Sequence, residues 1–467
     1  MLTASATSSS GSPLNNITCQ CRYVSPTRRG GNSIPWLPRS DIPDLQAQLS
    51  KTLLESAIEA TRRACEFDRP AGSVLSEFFR QHRELGSHQR RLIADTAFSV
   101  IRHKRLLEAI VPQPDSRRIV LSALMISLNM PLSALKPLLS KPDHDWLLDA
   151  THIDTATLPP AVRLSMPDWL WQRLQAQYGK QRAIRLGTAL LTPAPVDLRV
   201  NTLVSGRNDV LRALTSDGIV ARPTPYSPIG IRLEGKPSLS RHELFLNGAI
   251  EVQDEGSQLL GLLVAPTRRQ MVVDFCAGTG GKTLLLGAMM HNQGRLYAHD
   301  ISAKRLEVLK QRAMRAKLTN VHPMLIGGER DPRIQRLAGR IDQVLVDAPC
   351  SGLGTLRRSP ELKWRTSPAS LREMVEKQRR LLDTSSQLVK PGGRLVYATC
   401  SLLAEENVQV VEAFLEAQNG RYRLLDCQPM LGAQKIAFNC GTYFQVTPDE
   451  HDCDGFFAAV LQHRSGP

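Results

Sequence analysis

IDQVLVDAPCSGLG, residues 341–354, opens with the apolar run Val344-Leu345-Val346 and closes in a loop of Pro, Ser and Gly. A short apolar run of this kind reads as a buried parallel strand. Pro349 cannot donate to a strand ladder, so the strand must stop there. Ser351, Gly352 and Gly354 leave the loop that follows free in φ and ψ. Asp347 and Cys350 are therefore delivered just beyond the carboxyl end of a core strand, the edge at which open α/β sheets bind ligands.

A lone cysteine is most often a small buried hydrophobe. Cys350 has a counterpart. LVYATC, residues 395–400, is a second apolar strand ending in a thiol, and it follows the turn Lys390-Pro391-Gly392-Gly393. Core packing does not explain two strands that both bring a cysteine to one sheet edge. The coincidence, more than either cysteine, points to chemistry.

Outward from these strands, the alternation of strand and helix is regular from Gln270 onward. Strands are expected over Met271–Phe275, Leu296–His299, Val321–Ile326, Gln343–Val346 and Leu395–Ala398. Helices are expected over Thr283–His291 and Ala303–Lys317. Such alternation implies a parallel sheet covered on both faces. The tail GFFAAVLQ, residues 455–462, reads as a late edge strand.

The chain has 467 residues, room for about three domains. Upstream of the sheet, Pro195–Leu203 alternates as a strand, Pro167–Tyr178 is a Pro-started helix, and turns fall at Asp217-Gly218 and Pro228-Ile229-Gly230. The segment 160–255 is thus a small α+β unit, an RNA-binding or linking piece, preceded by a Pro- and Asp-rich linker over Lys141–Pro160. Residues 45–150 read as all-α, with Leu53, Ala57, Ala60, Ala64 and Phe67 at helical spacing. A later helix of this unit carries Arg90, Arg91, Arg102, Lys104 and Arg105 on its polar face. Residues 1–44 form a basic leader; its first 40 residues hold no Asp or Glu, a composition expected to stay disordered. A tail, an organelle transit peptide and a misjudged start are the three readings of it.

The net charge of +15 favours a polyanionic partner, nucleic acid before membrane. No apolar run is long enough to cross a bilayer. Nine cysteines without small-scaffold spacing suit a reducing compartment, the cytoplasm first. Cys440, His451 and Cys453 lack the rhythm of zinc ligands, so no metal is expected.

Cys276-Ala277-Gly278-Thr279-Gly280-Gly281-Lys282 sits between a strand and a helix. A glycine-rich turn alone is weak evidence. Asp300 at the end of the next strand strengthens it, because a carboxylate there suits a ribose diol. The P-loop spacing is absent, so the ligand is read as a nucleoside without a triphosphate.

CAGTGGKT, DAPCSGLG and ATCS, in this order, resemble the RNA (cytosine-5-)-methyltransferases, which use S-adenosylmethionine. PVDLRVNT, IEVQDEGSQL, RSPELKWR and DGFFAAVL extend the resemblance from about Pro167 to the C-terminus. RELGSHQRRLIADTAFSVIRHKRLLEAI is similar to the antitermination-factor-like domain of the bacterial small-subunit ribosomal RNA member. The resemblance implies a Rossmann-like methyltransferase domain over 256–467 and an RNA-binding role for 45–150. It implies Cys400 as the nucleophile toward cytosine carbon 6, Cys350 as the group assisting product release, and Asp347 as holder of the cytosine edge. It implies that Cys276–Lys282, Asp300, Arg305, Gly328 and Asp347 line the cofactor site. Thr279 replaces the usual proline. Gly328 stands where the family places an acid against adenine, with Glu329 or Asp331 as substitutes.

The expected reaction is methylation of cytosine carbon 5 in RNA, small-subunit ribosomal RNA first, transfer RNA or another RNA second. A non-catalytic assembly factor is the rival from another class; it would be expected to lose a thiol or Asp347, and all three are present. The chain is expected to work as a monomer without an obligate protein partner. Arg357, Arg358, Lys363, Arg365, Arg379 and Arg380 are candidates to grip phosphates, and Trp364 is a candidate to stack a base or anchor a core.

Overall fold

A computed structural model describes residues 49–111 and 113–465; the leader expected over 1–44 lies outside the described residues. The first described unit is helical. Helices Lys51–Ala64, Ala71–Gln81 and Ser87–Ile110 pack Leu54, Ala57, Phe78, Ile93, Ala97 and Leu107 into one core. Phe67 does not continue the first helix. The helix ends at Ala64, and Phe67 has a φ of 58° in the turn beyond it.

The expected linker over Lys141–Pro160 is corrected by the structure: Lys141–Ala150 is a helix. Ser140 accepts from the Asp143 N–H while the Asp143 carboxylate receives the Ser140 N–H, a capping box ahead of Trp146, Leu147 and Ala150, which are buried. Proline in the first turn, which suggested a linker, suits a helix start equally well.

The second unit begins with the helix Asp168–Leu190, whose backbone breaks at Gly179 with a φ of 74°. The helix expected to stop at Tyr178 therefore stops there, and a second one resumes to Leu190. Four antiparallel strands follow: β1 (Val196–Val200), β2 (Ala221–Pro223), β3 (Gly230–Leu233) and β4 (Ile250–Val252), in the order β2-β3-β1-β4. The buried Arg232 of β3 donates to both carboxylate oxygens of Asp197 on β1, at 2.7 and 3.0 Å.

The third unit holds β5 (Met271–Asp274), β6 (Arg295–Asp300), β7 (Val321–Leu325), β8 (Ile341–Asp347), β9 (Val389–Thr399), β10 (Tyr422–Leu425), β11 (Phe444–Val446) and β12 (Phe456–His463). Their order is β7-β6-β5-β8-β9-β12-β10, with β11 also on β12. The first five are parallel; β12 runs antiparallel to β9 and to β10. Alternate residues enter cores on opposite faces: Val272, Leu345, Val396 and Ala458 on one, Val273, Val344, Leu395 and Phe457 on the other. The tail is thus no edge strand. It is flanked on both sides, which explains why Phe456–Leu461 is buried without interruption. Strand order reverses between β5 and β8, so the crevice at their carboxyl ends is the switch point where a ligand is expected.

No described helix is long and apolar enough to cross a membrane.

Candidate active site

The loops after β8 and β9 meet at this crevice. Cys350 and Cys400 are both free thiols, with their Sγ atoms 3.3 Å apart. The hydrogen bond to Cys400, followed by burial, holds the Cys350 thiol well above the ordinary range.

Asp347, at the end of β8, accepts from Lys282 Nζ at 2.7 Å. Burial works against the charge of Lys282, but Asp347 outweighs it and the ammonium is kept above its usual range. The Lys282 ammonium also lies 5.4 Å from the centroid of the Phe456 ring. The Asp347 side chain remains 31% exposed, so the pair is reachable from the crevice.

One buried residue that the motifs did not reveal joins the two thiol loops. Glu406 accepts the Ser351 N–H at 2.8 Å, the Ser351 and Ser401 hydroxyls, and the Gln378 amide at 3.0 Å. Each serine directly follows one of the two paired cysteines, so one carboxylate locks both loops. The repeated Cys-Ser pair was the available signal. Gly354 closes the assembly: its N–H reaches the Cys400 carbonyl and its carbonyl receives the Gly455 N–H, both at 2.8 Å. A Cβ at Gly354 would run into the Gly455 carbonyl oxygen, so only glycine permits this approach.

Across the switch point, the turn after β5 places Gly278 at φ 56° and Gly280 at φ 90°. No atom lies within 4 Å of where a Gly278 Cβ would stand, so its backbone is open to a ligand. Asp300 shapes the turn, accepting the Gly278 N–H at 2.9 Å and the Ser302 N–H at 2.8 Å. Arg312 donates to the Thr279 carbonyl at 2.9 Å and to Glu251 of β4, tying the turn to the antiparallel sheet. Burial pushes the Cys276 thiol up, and Ala277 is buried. Burial also raises Asp274, behind the turn, to about 7, although the Thr283 hydroxyl donates to it. The open glycine backbone, the acid closing β6 and the adjoining crevice fit an adenosine-type cofactor.

The remaining candidates are placed less centrally. Arg305 is exposed, on the first turn of the helix after β6. Gly328 has a φ of 144° in the loop after β7. Glu329 pairs with Arg380 at 3.2 Å, and Asp331 takes the Gly327 N–H and Arg333, so both acids named as substitutes at Gly328 are already engaged.

Several expected phosphate grips are corrected. Arg357 is buried, donating to Asp452 and to the Pro193 carbonyl, both at 2.9 Å. Arg358 spans Asp454 at 2.6 Å and Asp254 at 2.8 Å. Lys363 is buried and donates to the Arg102 carbonyl at 2.7 Å. The Trp364 indole donates to the Ile101 carbonyl at 2.8 Å and its ring lies near Phe67, so it is an anchor between units. The basic helix is partly spent in the same joint: Arg102 donates to the Arg357 carbonyl at 2.7 Å, and Arg105 holds Asp168 through both nitrogens.

A parallel sheet with one inserted antiparallel strand, a glycine turn at its switch point and an acid closing the neighbouring strand together define a Rossmann-like S-adenosylmethionine-dependent methyltransferase. Residues 261–462 match the family described as 16S rRNA methyltransferase RsmB/F, and residues 166–240 match the ferredoxin-like domain of RsmF/B-like methyltransferases. The "Probable ribosomal RNA small subunit methyltransferase B" of Synechocystis sp. is 30% identical over 418 residues, 82% of this chain and 93% of that one. The "Ribosomal RNA small subunit methyltransferase B" of Vibrio cholerae is 33% identical, over 66% of this chain and 67% of that one. The crystal structure of PH0851 superposes with a TM-score of 0.72 at 25% identity, over 89% of this chain and 99% of that one. A methyltransferase homolog protein from Pyrococcus horikoshii gives a TM-score of 0.57 at 28% identity, over 67% of this chain and 100% of that one. The chain belongs to the RsmB/F family of 16S rRNA methyltransferases and is an S-adenosylmethionine-dependent RNA methyltransferase.

Proposed function

We propose that this chain methylates carbon 5 of a cytosine in small-subunit ribosomal RNA through a covalent bond between Cys400 and carbon 6. The observation that carries the reading is the 3.3 Å contact between Cys350 and Cys400 at the carboxyl ends of neighbouring strands. Carbon 5 of cytosine is a poor nucleophile, and a thiolate adding at carbon 6 pushes the pair of the 5,6 double bond onto carbon 5. When bound, S-adenosylmethionine supplies an electrophilic methyl group. The Gly278 turn and Asp300 would hold it.

The chain's own groups divide the rest. Cys400 forms the bond to carbon 6, and carbon 5 takes up the methyl. Cys350, as a thiolate, takes the carbon-5 proton; the freed C–H pair re-forms the 5,6 double bond, and the Cys400–carbon 6 bond breaks with its electrons on sulfur. Cys350 assists this release, since its thiol already faces the Cys400 sulfur. Asp347, oriented by Lys282, holds the cytosine edge and meets charge developing on the ring. Glu406 keeps both cysteine loops in place through Ser351 and Ser401. The RNA must present an unstacked base, at a cost of a few kcal/mol that is least in a loop.

The test incubates the full chain with S-adenosylmethionine and unmethylated small-subunit ribosomal RNA, followed by bisulfite sequencing. Protection of a defined cytosine, with transfer RNA left unprotected, is the expected result. Methyl transfer to the RNA with no protected cytosine contradicts carbon 5 as the target.

A further inference from the structure

Asn407 stands at the head of the helix Val408–Ala417, directly after Glu406. Asparagine in that position ordinarily turns its side-chain oxygen onto the first free N–H groups of the helix. Here the side chain makes no such bond. Its amide is turned back to the two residues that flank Cys400. Oδ1 accepts from the Thr399 hydroxyl at 2.5 Å, and Nδ2 donates to the Ser401 carbonyl at 3.0 Å. The Thr399 oxygen in turn accepts the Ser401 N–H at 3.2 Å.

These three bonds close a ring around the turn Thr399–Cys400–Ser401. The sense of the ring is fixed by chemistry. The Ser401 carbonyl can only accept, so the amide nitrogen must face it, and Oδ1 is left for the Thr399 hydroxyl hydrogen. With that hydrogen committed, the Thr399 oxygen is free to take the Ser401 N–H. Thr399, Ser401 and Asn407 are all buried, whereas Cys400 between them is half-buried. A member lost from a buried ring leaves its partners without a bond and without water to replace it. The Cys400 carbonyl is held separately, by the Gly354 N–H at 2.8 Å. The backbone on both sides of the thiol is thus fixed, and the thiol is the part of the turn that reaches the crevice.

We propose that Asn407 is a positioning residue for the nucleophile, holding the Cys400 turn so that its sulfur meets carbon 6 of the base in line for bonding. The inference rests on the reading of Cys400 as that nucleophile. It is separate from the part of Glu406, which ties the two cysteine loops to each other, because both side-chain bonds of Asn407 go to the Cys400 turn. Serving the helix alone would call for the cap, which Asn407 forgoes. A reacting atom misplaced by about 1 Å can cost on the order of 100-fold in rate.

Two nearly isosteric variants test the ring. Asn407→Asp keeps the acceptor for Thr399 but sets a carboxylate oxygen against the Ser401 carbonyl. Thr399→Val removes the hydroxyl that both ring neighbours use. The full chain is mixed with S-adenosylmethionine and small-subunit ribosomal RNA carrying 5-fluorocytidine, whose fluorine blocks the release step and so preserves the sulfur–carbon 6 bond. The rate at which a denaturation-resistant protein–RNA band forms is followed, beside the KM for unsubstituted RNA, S-adenosylmethionine affinity and the melting temperature. Both variants are expected to form the band at least about tenfold more slowly, with RNA KM and cofactor affinity within about twofold of the unaltered chain. The double variant should be no slower than the slower single one, because both break the same ring. Band formation at the unaltered rate in the folded variants overturns the proposal. So does slowing that comes with parallel losses of RNA KM, cofactor affinity and melting temperature, which would make the ring a support of the fold alone. A double variant whose defects multiply overturns the shared ring. No band from the unaltered chain while it methylates unsubstituted RNA fails the nucleophile reading itself, and the proposal falls with it.

Discussion

Cys350 and Arg357 belong to one loop but to different regions of the molecule. Cys350 stops at the crevice, where its thiol meets Cys400 and Glu406 fixes the surrounding backbone. Arg357 turns away from that crevice into the joint beneath the helical unit, beside Arg102, Lys363 and Trp364. At the crevice, charged groups are few: Lys282 is paired with Asp347, while Asp300 and Glu406 are held by backbone N–H, hydroxyl and amide donors. In the joint, cations are many and mostly consumed by carbonyls and carboxylates of neighbouring units. The difference teaches that positive charge near a catalytic motif can hold domains together, and that RNA contact has to be argued from groups left without partners.

The comparison breaks most visibly at Trp364. Trp364→Ala removes an interdomain anchor and its hydrogen bond, and is expected to cost roughly 2–4 kcal/mol of stability by chemical denaturation. S-adenosylmethionine affinity should be unchanged in the folded variant; a loss of cofactor binding would join the two regions that the account separates. Asp300→Ala sharpens the other side. It should weaken S-adenosylmethionine binding by about 1.5–3 kcal/mol in calorimetry, the scale of a hydrogen bond to a charged group, with Trp364 and its joint undisturbed. Unaltered affinity would remove Asp300 from the cofactor site.

A smaller effect concerns Asp274, raised by burial to about 7. The unfolded chain releases this proton near pH 4, so the folded state binds more protons between about 4 and 7. Stability therefore falls as pH rises through that window and levels above it. Asp274→Asn should make the fall shallower by about 1–2 kcal/mol, while Asp454, also raised to about 7 by burial, keeps its own share. An identical pH profile in the variant would show that Asp274 is charged in the folded protein.

The parts of this structure that obey a local period were legible beforehand. β5, β6 and β8 are apolar runs that close on Asp274, Asp300 and Asp347, and β9 is an apolar run that closes on Thr399-Cys400. The region 141–150 was not, because Pro and Asp mark a linker and a capped helix start alike, and only the Ser140–Asp143 reciprocity separates them. The tail at 456–463 was read as an edge because it comes last, yet sequence order does not determine its place between β9 and β10. The roles of Arg357, Arg358 and Trp364 depend on which unit packs above them, a contact between residues far apart in sequence. Glu406 was hidden for a related reason: its partners lie on two loops and a helix brought together only by the fold.

The central claim is the division of labour between the two thiols, and one gel tests it. Cys400→Ala and Cys350→Ala are each incubated with labelled small-subunit ribosomal RNA and S-adenosylmethionine, then run under denaturing conditions. Both variants should lose turnover by orders of magnitude, because they remove groups acting before and after one covalent step. Cys350→Ala should accumulate a slow-moving protein–RNA band that survives denaturation, and Cys400→Ala should give none. A band from Cys400→Ala alone would reverse the roles, and methylation by both variants without any band would contradict covalent catalysis by either cysteine.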